Sequence, residues 1–184
     1  MMHLLRGTRV RLTALTPDDL PTIAGWYENA EFLRLYDARP ALPKAEAELS
    51  RWLEELQKAQ DSFTFAIQTL ESDHLVGITE LDGILWAHGV CGMSIAIGDR
   101  ANWGKGYGYE AAQLALAFAF DELNLHRVQA TVFCYNERSI ALFEKLGFRR
   151  EGVYREFLQR DGERHDMLLY GLLEREWRET ASDQ

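Results

Sequence analysis

Met93-Ser94-Ile95-Ala96-Ile97, followed after a short link by Trp103-Gly104-Lys105-Gly106-Tyr107-Gly108 and then Glu110-Ala111-Ala112, is the stretch from which the chain is best read. Its first five residues alternate apolar and small side chains and predict a strand. The alternate glycines Gly104, Gly106 and Gly108 leave no side chain between a phosphate and the main-chain N–H groups. A helix opening behind them turns its positive end toward the same place. Strand, glycine loop and helix in that order describe a pyrophosphate cradle, and a phosphorylated cofactor is the expectation.

Two common nucleotide loops fail on spacing. A Walker loop needs G-x-x-x-x-G-K followed by Ser or Thr, whose hydroxyl sits on magnesium. Here the run from Gly98 to Gly104 is one residue too long, and Gly106 follows Lys105. A dinucleotide fingerprint needs a third glycine three residues after the second, where this chain has Tyr109.

Trp103-Gly104-Lys105-Gly106-Tyr107-Gly108 resembles the Gln/Arg-x-x-Gly-x-Gly/Ala signature of the GNAT N-acetyltransferases, with Trp103 where Gln or Arg usually stands. That departure resembles the group related to ribosomal-protein alanine N-acetyltransferases (RimJ/RimL-like). Asn136 through Phe148 and Asp161 through Trp177 resemble later parts of the same pattern, so the likeness covers most of residues 8–177 in order. It implies an α+β GNAT fold: a mostly antiparallel twisted sheet of six to seven strands, about four helices, and a single domain over 1–184. It also implies acetyl-CoA as acyl donor and a primary amine as acceptor.

The bulk numbers agree with one soluble domain. The chain has 184 residues, 47% hydrophobic and 27% charged. No apolar run approaches the roughly 20 residues that span a bilayer, and Met1 to Arg6 is too short for a secretory signal. Cys91 and Cys134 both fall in strand-like segments and read as reduced buried thiols. These features predict a cytoplasmic protein without membrane association. A net charge of −9 disfavours nucleic acid and suits a cationic acceptor, although solubility alone also explains it.

Along the chain, Arg9 to Thr13 alternates as a strand, and Thr16-Pro17-Asp18-Asp19 marks a helix start with Leu20, Ile23, Ala24 and Tyr27 inward. A second helix is expected from about Pro43, burying Leu49, Trp52, Leu53 and Leu56. Arg34 to Pro40 between them reads as a loop. Three strands follow around Phe63–Ile67, Val76–Ile78 and Met93–Ile97, with Asp82-Gly83 and His88-Gly89 as turns. Behind the glycine loop, Ala111, Ala115 and Ala119 form a small-residue stripe ending near Asn124. Arg127 to Cys134 is a strand, Asn136 can cap a short helix that Gly147 ends, and Asp161-Gly162 joins two last strands as a hairpin.

Given the resemblance, Ile95, Ala96 and Ile97 supply main-chain amides to the thioester and pantetheine. Trp103, Gly104, Lys105, Gly106, Tyr107 and Gly108 form the diphosphate cradle, with Asn136, Ser139 and Phe143 beside the cofactor. Family members often place a tyrosine acid at the position of Phe143, which cannot donate a proton. Ser139 stands where the alanine-acetylating group has a serine thought to contact the thiolate; bonding to its own helix backbone is the alternative. Glu80 is the candidate base, by its even spacing from Val76 and Ile78, with a water chain as the alternative. The group often carries a glutamate where this chain has Met93. Tyr36, Asp37 and Glu31 are expected at the acceptor entrance, with Tyr154, Arg155, His165 and Asp166 near the last hairpin. No metal-ligand spacing is present. The acceptor is a protein N-terminus, polyamine, amino acid or other small amine, and a homodimer is in keeping with the family. The rival reading is a degenerate acyl-CoA-binding sensor or assembly module.

Overall fold

The computed structural model describes residues 4–182. Its elements run β1 (Val10–Ala14), α1 (Leu20–Tyr27), α2 (Ala30–Tyr36), α3 (Glu46–Lys58), β2 (Phe63–Thr69), β3 (Leu75–Leu85), β4 (Val90–Ile97), α4 (Tyr107–Ala117), β5 (Arg127–Phe133), α5 (Glu137–Lys145), β6 (Arg149–Arg160), β7 (Glu163–Leu173) and α6 (Glu174–Ser182). The seven strands make one sheet in the order β1-β2-β3-β4-β5-β7-β6. Every neighbouring pair is antiparallel except β4 with β5. That parallel pair needs a crossover, and α4 provides it.

Alternate residues of the strands feed two cores. Ala66, Ile78 and Ala96, opposite one another on β2, β3 and β4, pack under α1 and α3 with Leu20, Ile23, Trp26, Leu49 and Leu53. Their neighbours Ile67, Leu81 and Met93 face the other way, onto α4. The alanine stripe explains how closely α4 lies on the sheet: Ala111, Ala115 and Ala119 are each 0% exposed. After Ala117 the helix widens into a π turn, with Leu123 N donating to Phe118 O at 3.0 Å, and stops at Asn124, whose φ is +53°.

Glu110 anchors α4 to β1. Its carboxylate accepts from Thr8 N, Thr8 Oγ1, Arg9 N and Val10 N at 2.6–2.9 Å. Burial alone would raise its pKa, but the bonds from Thr8, Arg9 and Val10 outweigh it and hold the group below its ordinary value. At the other end of the glycine segment, Gly98 admits the indole of Trp26, for a Cβ there would lie 2.0 Å from the ring.

The structure corrects four expectations. Six α-helices are present among the described residues, where about four were expected. One addition is α2, in the stretch read partly as loop: Asn29 Oδ1 caps it by accepting from Glu31 N and Phe32 N, and Phe32 and Leu33 bury its inner face. The other is α6, within the closing stretch. Asp82-Gly83 is not a turn but an irregularity inside β3, where the register slips; the chain reverses at Trp86–Gly89 instead. The helix expected from Pro43 begins at Glu46, because Glu48 reaches back to Ala45 N at 3.0 Å. The last hairpin turns as expected at Asp161 and Gly162, both with positive φ, +51° and +83°.

Candidate active site

The parallel pair does not stay together. β4 and β5 are joined only where Val90–Gly92 meets Arg127–Gln129. Beyond that point Met93–Ile97 keeps its partners on β3, while β5 remains paired with β7. The strands therefore part in the middle of the sheet, leaving one side of β4 without a strand partner. Two cavities occupy the opening, a trough of about 450 Å³ and a pocket of about 380 Å³. They share Leu35, Tyr36, Ile95, Asn136 and Ser139 as walls.

The trough runs from Ile95–Ile97 to the glycine loop and the start of α4. Gly104 and Gly106 turn there with φ of +73° and +84°, a region costly for other residues. A Cβ at Gly104 would meet nothing within 4 Å, and one at Gly106 would come within 2.9 Å of Arg9 Nη1. The hollow is thus kept open by glycine and bounded by a cation. Arg9 Nη1 also donates to Lys105 O at 2.7 Å, fixing the loop. Trp103 is a brace as well as a wall: its Nε1 donates to Ile97 O at 2.7 Å, and Arg138 stacks 4.5 Å from its ring. These features fit a diphosphate at the glycine loop and a pantetheine arm along β4. Lys105 is not a trough wall; its Nζ donates to Asn102 Oδ1. Arg138 and Lys145 do line the trough. They lie seven residues apart on α5, a helical spacing that shares one face.

The pocket lies on the far side of Ser139, between β4, β5 and the segment after α2. Among the described residues its charged lining groups are Asp37 and Asp82, and no lysine, arginine or histidine joins them. Asp37 is partly committed, accepting from Arg39 N at 3.0 Å and Arg39 Nε at 2.9 Å. Burial, and then Asp61, raises the pKa of Asp82 above its ordinary value. Glu80 is half-buried one strand back, opposite Ser94, and lines neither cavity. Its pKa is raised by burial first and Asp82 second, against a lowering effect of the Thr64 hydroxyl. Tyr36 is raised by burial, then by Tyr27, Glu80 and Asp37. The two carboxylates make the pocket a negative recess, which favours a positively charged guest.

Asn136 caps α5, its Oδ1 accepting from Ser139 N at 3.2 Å. Among the described residues the Ser139 hydroxyl has no hydrogen-bond partner, so the alternative of bonding to its own helix is not realised. Phe143 was expected beside the cofactor but borders the pocket only, its ring turned toward Phe148 and Tyr170 in the core. Tyr36 and Asp37 both line the pocket. Tyr154 does not reach the pocket: it is 50% exposed and faces a separate shallow dent with Arg155, Phe157 and Asp166. His165 packs edge-on against Tyr135, with ring centroids 5.1 Å apart. Glu31 pairs with Arg100 at the surface. Cys91 is buried, and its thiol is pushed up to about 12 by burial and Asp82. Among the described residues no cluster suited to a metal ion is found, and no helix is long and apolar enough to cross a membrane. Asp82, Arg138 and Lys145 had escaped the sequence reading.

The known proteins that this chain resembles agree with that geometry. Residues 9–149 match the family model described as an acetyltransferase (GNAT) domain. The chain is 31% identical over 93% of its length, and 93% of the relative's, to the prophage-derived uncharacterized N-acetyltransferase YokL of Bacillus subtilis. It is 26% identical, over 84% of its own length and 82% of the other's, to the Escherichia coli alanine N-acetyltransferase of ribosomal protein uS5. Among solved structures, the spermidine N-acetyltransferase of Vibrio cholerae, in complex with CoA and spermine, superposes with a TM-score of 0.85 at 24% identity, covering 94% of this chain and 99% of that one. A sheet parted at β4, a glycine-lined trough and a family match across most of the chain lead to one conclusion: the protein belongs to the GNAT acetyltransferases and is an acetyl-CoA-dependent N-acetyltransferase.

Proposed function

We propose that the protein acetylates a cationic primary amine by direct attack in a ternary complex, as a single domain in the cytoplasm. One observation carries this reading. The cofactor trough and the acid-lined pocket meet at Ile95, Asn136 and Ser139, so a donor and an acceptor can face each other without a covalent enzyme intermediate.

Bound acetyl-CoA supplies the thioester whose carbonyl carbon the amine attacks. Main-chain amides of Ile95 to Ile97 hold the acyl arm and polarise its oxygen. The glycine loop from Gly104 to Gly108 and the positive end of α4 hold the diphosphate, with Arg138 and Lys145 beside it. The acceptor enters as an ammonium between Asp37 and Asp82, with Tyr36 against it. It loses a proton to pocket water, which passes it toward Glu80 and Asp82, both less acidic than usual. The nitrogen–carbon bond then forms and the carbon–sulfur bond breaks. The second amine proton ends on the leaving sulfur, with Ser139 Oγ placed to bridge the two, since Phe143 cannot.

A small polyamine fits two carboxylates in one pocket, and an α-amino group at a protein N-terminus fits the likeness to the uS5-modifying enzyme and the RimJ/RimL-like group. The deciding measurement is thiol release across a panel of primary amines, amino acids and peptides bearing a free α-amine. Turnover with cationic amines supports the proposal. Tight acetyl-CoA binding without turnover on any amine favours the sensor reading, which the phenylalanine at position 143 motivates.

A further inference from the structure

Arg160 ends β6, just before the hairpin turn, yet its guanidinium is spent on a loop more than a hundred residues earlier. One nitrogen donates to Asp37 O at 2.8 Å and to Arg39 O at 3.3 Å. Its Nε is buried with no partner. No carboxylate pairs with it among the described residues. Its neighbour Asp161 takes the Arg34 side chain at 2.5 Å. The tip of the β6–β7 hairpin thus grips both flanks of Leu35–Asp37, the segment that walls the acceptor pocket.

Stability does not explain this choice of residue. Withdrawing a charge from water without a counter-ion is costly, and an apolar side chain in its place is often neutral or better. Neutral carbonyls offset part of that cost, and the idle Nε adds to it. What the guanidinium does is tie two carbonyls of one small loop through a single nitrogen. That loop is already a local unit, since the Asp37 carboxylate binds Arg39 twice. Arg160 fastens the unit to the sheet. The other half of the segment has its own fastenings: Tyr135 OH donates to Arg34 O at 2.9 Å, and Asn136 Nδ2 to Leu35 O at 3.3 Å.

We infer that Arg160 is a positioning residue for acceptor recognition. It sets the place of Asp37 against the pocket and so governs affinity for the amine, touching neither amine nor cofactor; it lines neither cavity. This rests on the amine-acetylating reading above.

The test compares the full-length protein with Arg160→Met and Arg160→Lys by hydrogen exchange and by steady-state kinetics with 1,4-diaminobutane as probe amine. The amides of Asp37 and Arg39 are protected by Leu33 O and Asp37 Oδ1. In Arg160→Met they should exchange about tenfold faster, the scale of losing a charged donor's bond, while residues 104–110 keep their rates. The KM for the amine should rise by about the same factor with kcat and the acetyl-CoA KM unchanged. Arg160→Lys, which keeps the charge but has a shorter, more flexible reach to the two carbonyls, should fall between. Unaltered exchange at Asp37 and Arg39 overturns the inference, as does a parallel rise of both KM values. If Arg160→Met does not fold, Arg160→Lys decides by the same two readouts. If the unaltered protein acetylates no amine, the function proposal fails, and the exchange result still decides whether Arg160 holds the loop.

Discussion

The two halves of the site are made in different ways. The proposed donor half rests mainly on main chain from one continuous stretch, Ile95 to Gly108, braced by Trp103 on Ile97 O and by Arg9 on Lys105 O, with Arg138 and Lys145 as side-chain walls. The acceptor half is a wall on the segment after α2, held by Tyr135, Asn136 and Arg160 from 101 to 123 residues away. A site made of backbone tolerates changes of side chain and fails when the backbone is blocked. One assembled by distant side chains can be retuned by single substitutions without losing the fold. The first suits a ligand that stays the same; the second suits one that varies.

The sharpest way to break that contrast is Gly106→Glu. It forces a side chain into a φ of +84° beside Arg9 and adds negative charge at the proposed diphosphate site. Acetyl-CoA affinity measured by calorimetry should fall by more than about 100-fold, the scale of adding strain and a like charge at once. Retained affinity would show that the donor half is not built from backbone.

On the chemistry between the halves, Ser139→Ala should lower kcat by about 100-fold, the lower end for a proton-handling group, with acetyl-CoA affinity kept. Unchanged kinetics in that variant would remove Ser139 from the reaction. Glu80 gives a pH test with a sign. As a proton acceptor it works when ionised, so the acid limb of kcat/KM should sit above pH 4.5 and move or vanish in Glu80→Gln. Its effect on stability is opposite. A folded-state pKa raised by burial means its contribution is present below 4.5 and lost as pH rises through the raised value. Glu80→Gln should therefore be less active and no less stable at pH 7. An acid limb identical in both proteins would count against Glu80.

The smallest effect concerns the frame of the donor half. Glu110→Gln weakens the charged bonds to Thr8, Arg9 and Val10, at a cost of about 2 kcal/mol in denaturant unfolding. Glu110 has a lowered pKa, so the difference should be complete above pH 4.5 and disappear as pH falls through the folded value. An equal difference at pH 3 and pH 7 would mean that shape, not charge, joins α4 to β1.

The same contrast explains what could be read in advance. Gly104, Gly106 and the alanine stripe of α4 were legible because the cause and the consequence lie within a few residues. The capped start of α5 and the Asp161–Gly162 turn were legible for the same reason. The helix α2 was missed because it is only seven residues long and much of its C-terminal end is secured by Tyr135 and Asn136, partners that spacing along the chain does not reveal. Asp82-Gly83 carries turn chemistry, but its pairing with Gly92 on β4 overrides the local preference. That same pairing brings the Asp82 carboxylate to the pocket, so one misread turn also concealed an acceptor-site residue. Phe143 was assigned to the cofactor by motif position, whereas packing against Phe148 and Tyr170 decides where its ring lies.

The parting of β4 from β5 has a consequence for the protein's lifetime as well as its chemistry. A run of unpaired strand amides is normally a rim feature, and on the function proposed above the acyl donor would complete the ladder here in place of protein. Occupancy then becomes part of the fold's thermodynamics: at one hundred times Kd a bound ligand adds about 2.7 kcal/mol against unfolding. Starved of its donor, the same polypeptide would be an easier substrate for proteases, so that its abundance would follow the supply of the molecule it consumes.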